Sequence, residues 1–180
     1  MTVMRYVQDA LKKCLSDAGD FTAMVTLKTI FALKIAICVY GATLDDARSA
    51  LNTSEEIFLY MRSSHRMYSK SEICTSIRVY DRLDNDMYFL QVKYNLQANL
   101  LREKRKWKYD YKVAILGEGT GTDLNATLTL SPLVGTQDIV VYEMVFWDPE
   151  QKCFLLVFLN DKGLPKCEMY QWSEEVHKRR

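Results

Sequence analysis

The sequence predicts an all-β domain whose eight strands form an up-and-down barrel or a sandwich. Short apolar segments recur along the chain, polar turns separate them, and no long helical pattern lies between them. Strands at such short spacing are typical of closed or double-layered antiparallel sheets. Aromatic residues are plentiful while glycine and proline are sparse, which suits a folded β-rich domain. The eight segments are residues 56–62, 73–80, 87–94, 106–116, 125–130, 139–147, 153–159 and 166–172.

Two of these segments alternate between apolar and polar residues, the period that a barrel strand requires. We expect both apolar faces to point inward, where their rings would line a ligand cavity or fill a core. In 87–94 this face comprises Tyr88, Leu90, Val92 and Tyr94. In 106–116 it comprises Trp107, Tyr109, Tyr111, Val113 and Ile115, and the opposite face carries lysines and Asp110.

The start of the chain does not follow the strand pattern. Residues 29–40 form a mostly apolar run, with a basic residue before it and small residues after it. With Met24 as the first residue, this order is that of a secretory signal peptide; a buried helix is the alternative. We therefore expect an upstream extension that is not native, a signal peptide and a mature domain, at residues 1–23, 24–42 and 43–180.

A short helix is expected at the start of the mature domain. The Thr43 hydroxyl can cap it, and Asp46 stands at the third helical position, where a carboxylate can complete a capping box. Leu44, Ala47 and Leu51 share one face. The pattern therefore predicts an amphipathic helix that ends near Leu51.

Charge and composition disfavour several classes of function. The formal net charge of +1 argues against nucleic acid or an anionic membrane surface as the main partner. No apolar run reaches the roughly eighteen residues of a membrane span. The two histidines, His65 and His177, are too isolated for a histidine-rich metal site, and no phosphate-binding glycine loop or nucleophile–base set occurs. We expect a binding protein without a cofactor or metal, not an enzyme.

The stretch from Cys153 to Glu168-Met169-Tyr170 resembles the biogenic-amine signature of the tick salivary lipocalins, the histamine-binding family. The resemblance extends from about Leu44 to Trp172. It implies a secreted eight-stranded lipocalin barrel that holds a small host mediator such as histamine, serotonin or an eicosanoid, without catalysis; some members bind host proteins instead. Further matching pieces, in the family's order, are residues 45–51, 56–61, Cys74 and 142–148.

An amine pocket requires carboxylates and aromatic faces, because burying an ammonium without a counter-charge costs several kcal/mol. Glu168 belongs to the signature, and Glu143 lies in an otherwise apolar strand, on the same face as Val141 and Val145. The predicted ligand-binding residues are Glu168, Glu143, Trp107, Tyr109, Tyr111, Tyr88 and Tyr94.

One position of the signature is altered in a way that bears on the ligand. Its aspartate, directly after the first cysteine, is Phe154 in this chain. The loss of this carboxylate leaves room for an apolar ligand, and a fatty-acid-like mediator would pair with a base such as Arg62 or Arg78. We expect a monomer whose partner is a small molecule, a biogenic amine first and a lipid mediator as the alternative.

Three cysteines, Cys74, Cys153 and Cys167, remain in the mature domain, and we expect structural roles for them. A hairpin at the last polar turn would set Cys167 opposite about Phe158. Cys153 would then lie about 16 Å away along the strand, too far for a disulfide. The resemblance implies that Cys74 and Cys153 pair with cysteines of a C-terminal segment. Since only eight residues follow Trp172, we expect that the chain is truncated or that its last exon is wrong, and that the C-terminal helix is missing.

Overall fold

The computed structural model of the protein describes residues 41–63, 72–96, 107–119, 125–133, 139–160 and 162–178. The predicted upstream extension, nearly all of the predicted signal peptide and His65 lie outside these ranges. Among the described residues, no helix has the length and apolar character needed to cross a membrane.

The described residues form eight strands and two helices, and the strands close into a barrel. Each strand pairs in antiparallel orientation with the next, and β8 pairs with β1, so the sandwich alternative is excluded. The elements are α1 (Leu44–Leu51), β1 (Glu56–Arg62), β2 (Glu72–Asp84), β3 (Met87–Leu96), β4 (Trp107–Gly117), β5 (Ala126–Pro132), β6 (Val140–Asp148), β7 (Cys153–Leu159), β8 (Pro165–Trp172) and α2 (Ser173–Lys178).

Helix α1 is found as the sequence predicts, whereas helix α2 was not expected. The predicted start and end of α1 are confirmed: Thr43 Oγ1 accepts from the Asp46 amide at 3.2 Å, and Asp46 Oδ2 accepts from the Thr43 amide at 2.8 Å. This reciprocal pair satisfies two amides that the helix cannot pair internally. The expectation of a missing C-terminal helix is corrected, because the six-residue α2 directly follows β8.

Helix α1 packs against one end of the barrel. Its buried face, Ala47, Ala50 and Leu51, joins the inner core. The Arg48 guanidinium donates to Asp86 in the β2–β3 turn at 2.7 Å, and the Trp172 indole donates to the Ala50 carbonyl at 3.1 Å. We call the half of the barrel remote from α1 the distal half; β1, β3, β5 and β7 end there.

The face of β4 that points into the barrel is the opposite of the one that the sequence predicts. Its aromatic face is solvent-exposed on the outside of the barrel, with Trp107 47% and Tyr109 53% accessible. Ala114 and Leu116 are buried in the inner core instead, opposite Leu130 and Leu128 of β5. Because successive side chains point to opposite faces, the packing of Ala114 and Leu116 also turns the polar residues of β4 inward.

The aromatic residues of β4 have partners on the outer surface. Tyr111 stacks on Phe89 of β3 with ring centroids 5.5 Å apart, and the Lys93 ammonium lies 4.8 Å from the centroid of the Trp107 ring. The prediction for β3 fares better, since Tyr88, Leu90 and Val92 are buried on the inner face as expected.

A second apolar cluster lies on the outer side of β6, β7 and β8. Its buried members are Val145, Phe146, Cys153, Leu155, Val157, Cys167 and Met169. The nearly continuous burial of β7 follows from this arrangement, because both of its faces contact apolar side chains.

Candidate functional site

Glu168 lies on the inner face of the barrel and is completely buried, with 0% of its surface accessible. It pairs across the sheet with Leu156 of β7, an inner core residue, and shares its face with Tyr170. The Tyr170 hydroxyl donates to Glu168 Oε2 at 2.8 Å. Within the described part of the chain, Glu168 Oε1 accepts no hydrogen bond. A buried acceptor left in this state is costly and provides a contact for a ligand donor.

The surroundings of Glu168 disfavour its charged form. Burial raises the pKa of the Glu168 carboxyl above its ordinary value. Hydrogen bonding from the hydroxyls of Tyr170 and Tyr142, and the charge of Arg62, offset part of this rise in pKa. The carboxyl is therefore biased toward the protonated form, in which it can also donate a hydrogen bond.

Arg62 lies next to Glu168 on the neighbouring strand. The two residues are register partners between β1 and β8. An irregularity of β1 between Leu59 and Met61 shifts the alternation by one residue, so that Met61 packs on the outer cluster and Arg62 follows on the inner face. The Nη1 atom of Arg62 is buried. A cation and a carboxyl thus occupy adjacent inward positions.

Aromatic rings pack around this pair on the inner face of the barrel. Phe154 stacks on Tyr170 with centroids 5.2 Å apart and planes 14° from parallel, and Tyr142 meets Phe158 edge to face at 5.2 Å. All four rings are buried in the inner core. The phenyl ring that replaces the aspartate of the signature therefore fills part of the interior beside Glu168.

Several inward positions of the distal half are only partly buried. Arg62, Tyr94, Lys112 and Lys166 occupy inward positions there and are neither fully buried nor fully exposed. Glu168 and its ring partners therefore form the floor of the distal half. A ligand that enters from the distal end would meet these four side chains before it meets Glu168.

The structure brings only some of the predicted site residues together. Glu168 is deep in the interior, and Tyr94 is on the inner face in the distal half. Tyr88 is also inward, but near α1, where its hydroxyl donates to the Asn85 carbonyl at 3.4 Å. Their contribution to ligand binding stays a prediction.

Four of the predicted residues lie on the outside of the barrel, where they cannot line the interior. Trp107, Tyr109 and Tyr111 belong to the outward face of β4. Glu143 is exposed because its neighbours Tyr142 and Met144 are fully buried and take the inward positions. Arg78, a candidate partner for a lipid carboxylate, is likewise exposed.

Sequence reasoning missed Tyr142, Tyr170 and Lys112 as site residues. Tyr170 could have been found, since it lies two residues after Glu168 and must share its face. Tyr142 would have followed from assigning Glu143 outward. Lys112 could have been predicted only by knowing which face of β4 points inward, and the alternation alone does not decide this.

The positions of Cys153 and Cys167 agree closely with the predicted hairpin. Cys167 pairs with Val157, one residue from the predicted position, and Cys153 lies opposite Gln171. Cys153 and Val157 are four residues apart, about 13 Å along the strand, which is too far for a bridge between Cys153 and Cys167. Cys74 is an exposed free thiol. Within the described residues, no group of three or more His, Cys, Asp or Glu side chains could hold a metal ion.

No family model and no curated protein matches the chain. Among solved structures, it is similar to Japanin from Rhipicephalus appendiculatus bound to cholesterol, with a TM-score of 0.52 and 14% sequence identity over 73% of this chain and 83% of that chain. The fold is a lipocalin barrel. At this identity the similarity concerns the fold, and it confirms the barrel that the sequence resemblance implies.

Proposed function

We propose that this lipocalin sequesters a small, largely apolar host mediator in the distal half of its barrel, with the ligand's polar group directed at Glu168. The observation that carries the proposal is the Glu168 carboxyl, which is fully buried on the inner face and has an oxygen without a hydrogen bond from the described residues. A ligand hydroxyl or carboxyl could pair with it, with the Tyr142 and Tyr170 hydroxyls near the same carboxyl. The rest of the inner core is aliphatic or aromatic and suits an apolar ligand body.

Three features favour an apolar mediator over an amine. The signature's aspartate is replaced by Phe154, which stacks on Tyr170. Arg62 adjoins Glu168 and would repel an ammonium. The burial that raises the pKa of Glu168 adds a cost to the ionised form that an amine needs. The similar solved structure was determined with cholesterol, itself an apolar ligand with one hydroxyl.

A biogenic amine such as histamine is the second candidate, and Glu168 itself favours it. An ammonium donor at Oε1 would satisfy the buried acceptor by a charge-assisted hydrogen bond. Tyr142 and Tyr170 would supply ring faces for a cation–π contact. Binding would then require the ionised form of Glu168, which burial disfavours.

Titration of the purified protein with cholesterol, oleate and histamine tests the proposal. We expect cholesterol or oleate to bind and histamine to produce no heat. Saturable histamine binding that Glu168→Gln abolishes, without any lipid binding, would instead establish the amine candidate. Failure of all three ligands to bind would contradict both and would favour a barrel that binds a host protein through its loops.

We also propose that the protein is secreted as a monomer after removal of residues 24–42 or a part of them. Ala42 is buried, and its carbonyl accepts from the Ala126 amide at 2.7 Å, which favours cleavage before Ala42. A closed barrel leaves no strand edge free for pairing with a second copy. N-terminal sequencing of secreted protein and light scattering test these two points; an N-terminus upstream of residue 40 or a dimer would contradict them.

A further inference from the structure

The polar face of β4 carries charges into the barrel. Lys112 lies two residues before the buried Ala114 and is paired across the sheet with the core residue Leu90 and with Pro132. Its side chain is only 11% accessible, and its ammonium lies 3.2 Å from Asp110 Oδ2, a carboxylate whose side chain is 51% accessible. Lys112 is therefore largely desolvated, while its partner remains largely in water.

Basic residues are frequent at the inward positions of the distal half that the structure describes. They are Arg62 on β1, Lys108 and Lys112 on β4, and Lys166 on β8. The acidic residues at such positions are Asp110, Glu168 and, by its register with Leu96, Glu72. Burial raises the pKa of Glu168, which favours its neutral form.

We propose that Lys112 is an anion-binding residue of the barrel, which holds the carboxylate of a long-chain ligand against the inner wall of β4. This inference rests on the proposed function only in that an apolar mediator occupies the barrel. It concerns ligands with an ionised carboxylate, whereas a hydroxyl or a protonated carboxyl remains the partner proposed for Glu168. A lysine removed from water requires a counter-charge, and the water-exposed Asp110 is a weak one. A ligand carboxylate brought into the same low-dielectric surroundings interacts more strongly with the ammonium.

The topology places this anion site apart from the Glu168 floor. In the closed order of eight strands, β4 is four strands away from β8 in either direction, so Lys112 and Glu168 lie on opposite walls. Leu90, the register partner of Lys112, and Leu130, the register partner of Ala114, are both buried and make this wall apolar beside Lys112. An elongated ligand can therefore place its carboxylate on β4 and its apolar body along this wall.

Affinities of four forms of the full chain for oleate and for methyl oleate test the assignment. The two ligands share the apolar body and differ in charge. Because one charge-assisted contact is removed, we expect Lys112→Met to weaken oleate binding about tenfold or more and to leave methyl oleate binding unchanged. Lys112→Arg, which keeps the charge, should restore most of the affinity for oleate. Lys93→Met is the matched control, since Lys93 lies on the outer face and pairs with Glu56 at 3.0 Å.

The outcomes separate this inference from the proposed function. Equal oleate affinity in Lys112→Met and the wild type, or an equal loss for oleate and its ester, would overturn the role of Lys112 while an apolar ligand is still bound. If the wild type binds neither oleate nor its ester, nor cholesterol, the proposed function fails and the anion site fails with it. Should Lys112→Met not fold, the comparison of Lys112→Arg and Lys112→Gln gives the same answer: equal oleate affinities would refute the need for a charge.

Discussion

Replacing Tyr170 by Phe removes a single hydroxyl from the interior of the barrel and tests the Glu168 site directly. The variant keeps the ring, and therefore the stacking on Phe154 at 5.2 Å. It loses the hydrogen bond to Glu168 Oε2, made at 2.8 Å where both residues are fully buried. Such a bond contributes about 1 kcal/mol to a neutral acceptor and roughly 1.5–3 kcal/mol to a charged one. We therefore expect Tyr170→Phe to lower the free energy of unfolding by about 1 kcal/mol at acidic pH and by more once Glu168 ionises.

Urea unfolding at several pH values between 4 and 9 measures this cost. For a domain of this size each kcal/mol corresponds to a shift in Tm of about 2–4 °C, so thermal unfolding gives an independent reading. Tyr109→Phe removes the same hydroxyl from an exposed ring and should change stability by less than about 0.5 kcal/mol. If the two variants have equal free energies of unfolding at every pH, the hydroxyl of Tyr170 does not bind a buried carboxyl, and the arrangement described for the site is wrong.

Three further predictions concern the same domain. Folding raises the pKa of Glu168, so the stability that it contributes is complete below its unfolded pKa of about 4.5 and is lost as the pH rises through its folded pKa. Glu168→Gln should therefore match the wild type near pH 4 and exceed it at higher pH, and equal pH profiles of the free energy of unfolding would contradict this. Thr43→Ala should cost about 1 kcal/mol through the lost cap of α1, whereas the exposed Ser49→Ala should cost little; the check is their difference in urea midpoint. Phe154→Asp should destabilise the barrel by roughly 3–5 kcal/mol or more, since it empties a buried ring site and adds a carboxylate there, and a Tm within a few degrees of the wild type would refute the buried position of Phe154.

The strand pattern could be predicted from the sequence because its determinants are local. Alternation and turn residues fix where a strand begins and ends, so β1 and β7 match their predicted ranges and the other strands differ by only a few residues. The cap of α1 depends on Thr43 and Asp46, three residues apart, and was predicted for the same reason. The closure of the sheet is non-local, and the choice of a barrel over a sandwich required the resemblance to the tick lipocalins.

Which face of a strand points into the barrel depends on non-local packing. The sequence prediction of the site was wrong on this point. In β4 the rings of Trp107 and Tyr109 are larger and more apolar than the lysines between them, so local hydrophobicity assigns them inward. The structure follows Ala114 and Leu116, whose small and medium side chains fit the crowded end of the barrel beside α1. Once these two residues point inward, the period of two leaves the rings outside.

Glu143 and Glu168 also show that the sequence alone does not decide which side chains point inward. The outcome for these two carboxylates defines the chemistry of the interior. Each is a single carboxylate in an apolar strand, and the sequence assigns both inward. Glu143 is turned outward because Tyr142 and Met144 fill the core, which leaves Glu168 as the only acid directed at the buried floor among the described residues. With Phe154 in place of the second acid of the signature, this floor has one carboxyl whose pKa is raised by burial and an adjacent arginine. Two ionised carboxylates could compensate the desolvation of an ammonium; one carboxyl biased toward its neutral form cannot do so as well, and it is better suited to a hydroxyl or a carboxyl. The phenyl ring at residue 154, where the signature has an aspartate, therefore supports the proposed preference of this barrel for an apolar ligand.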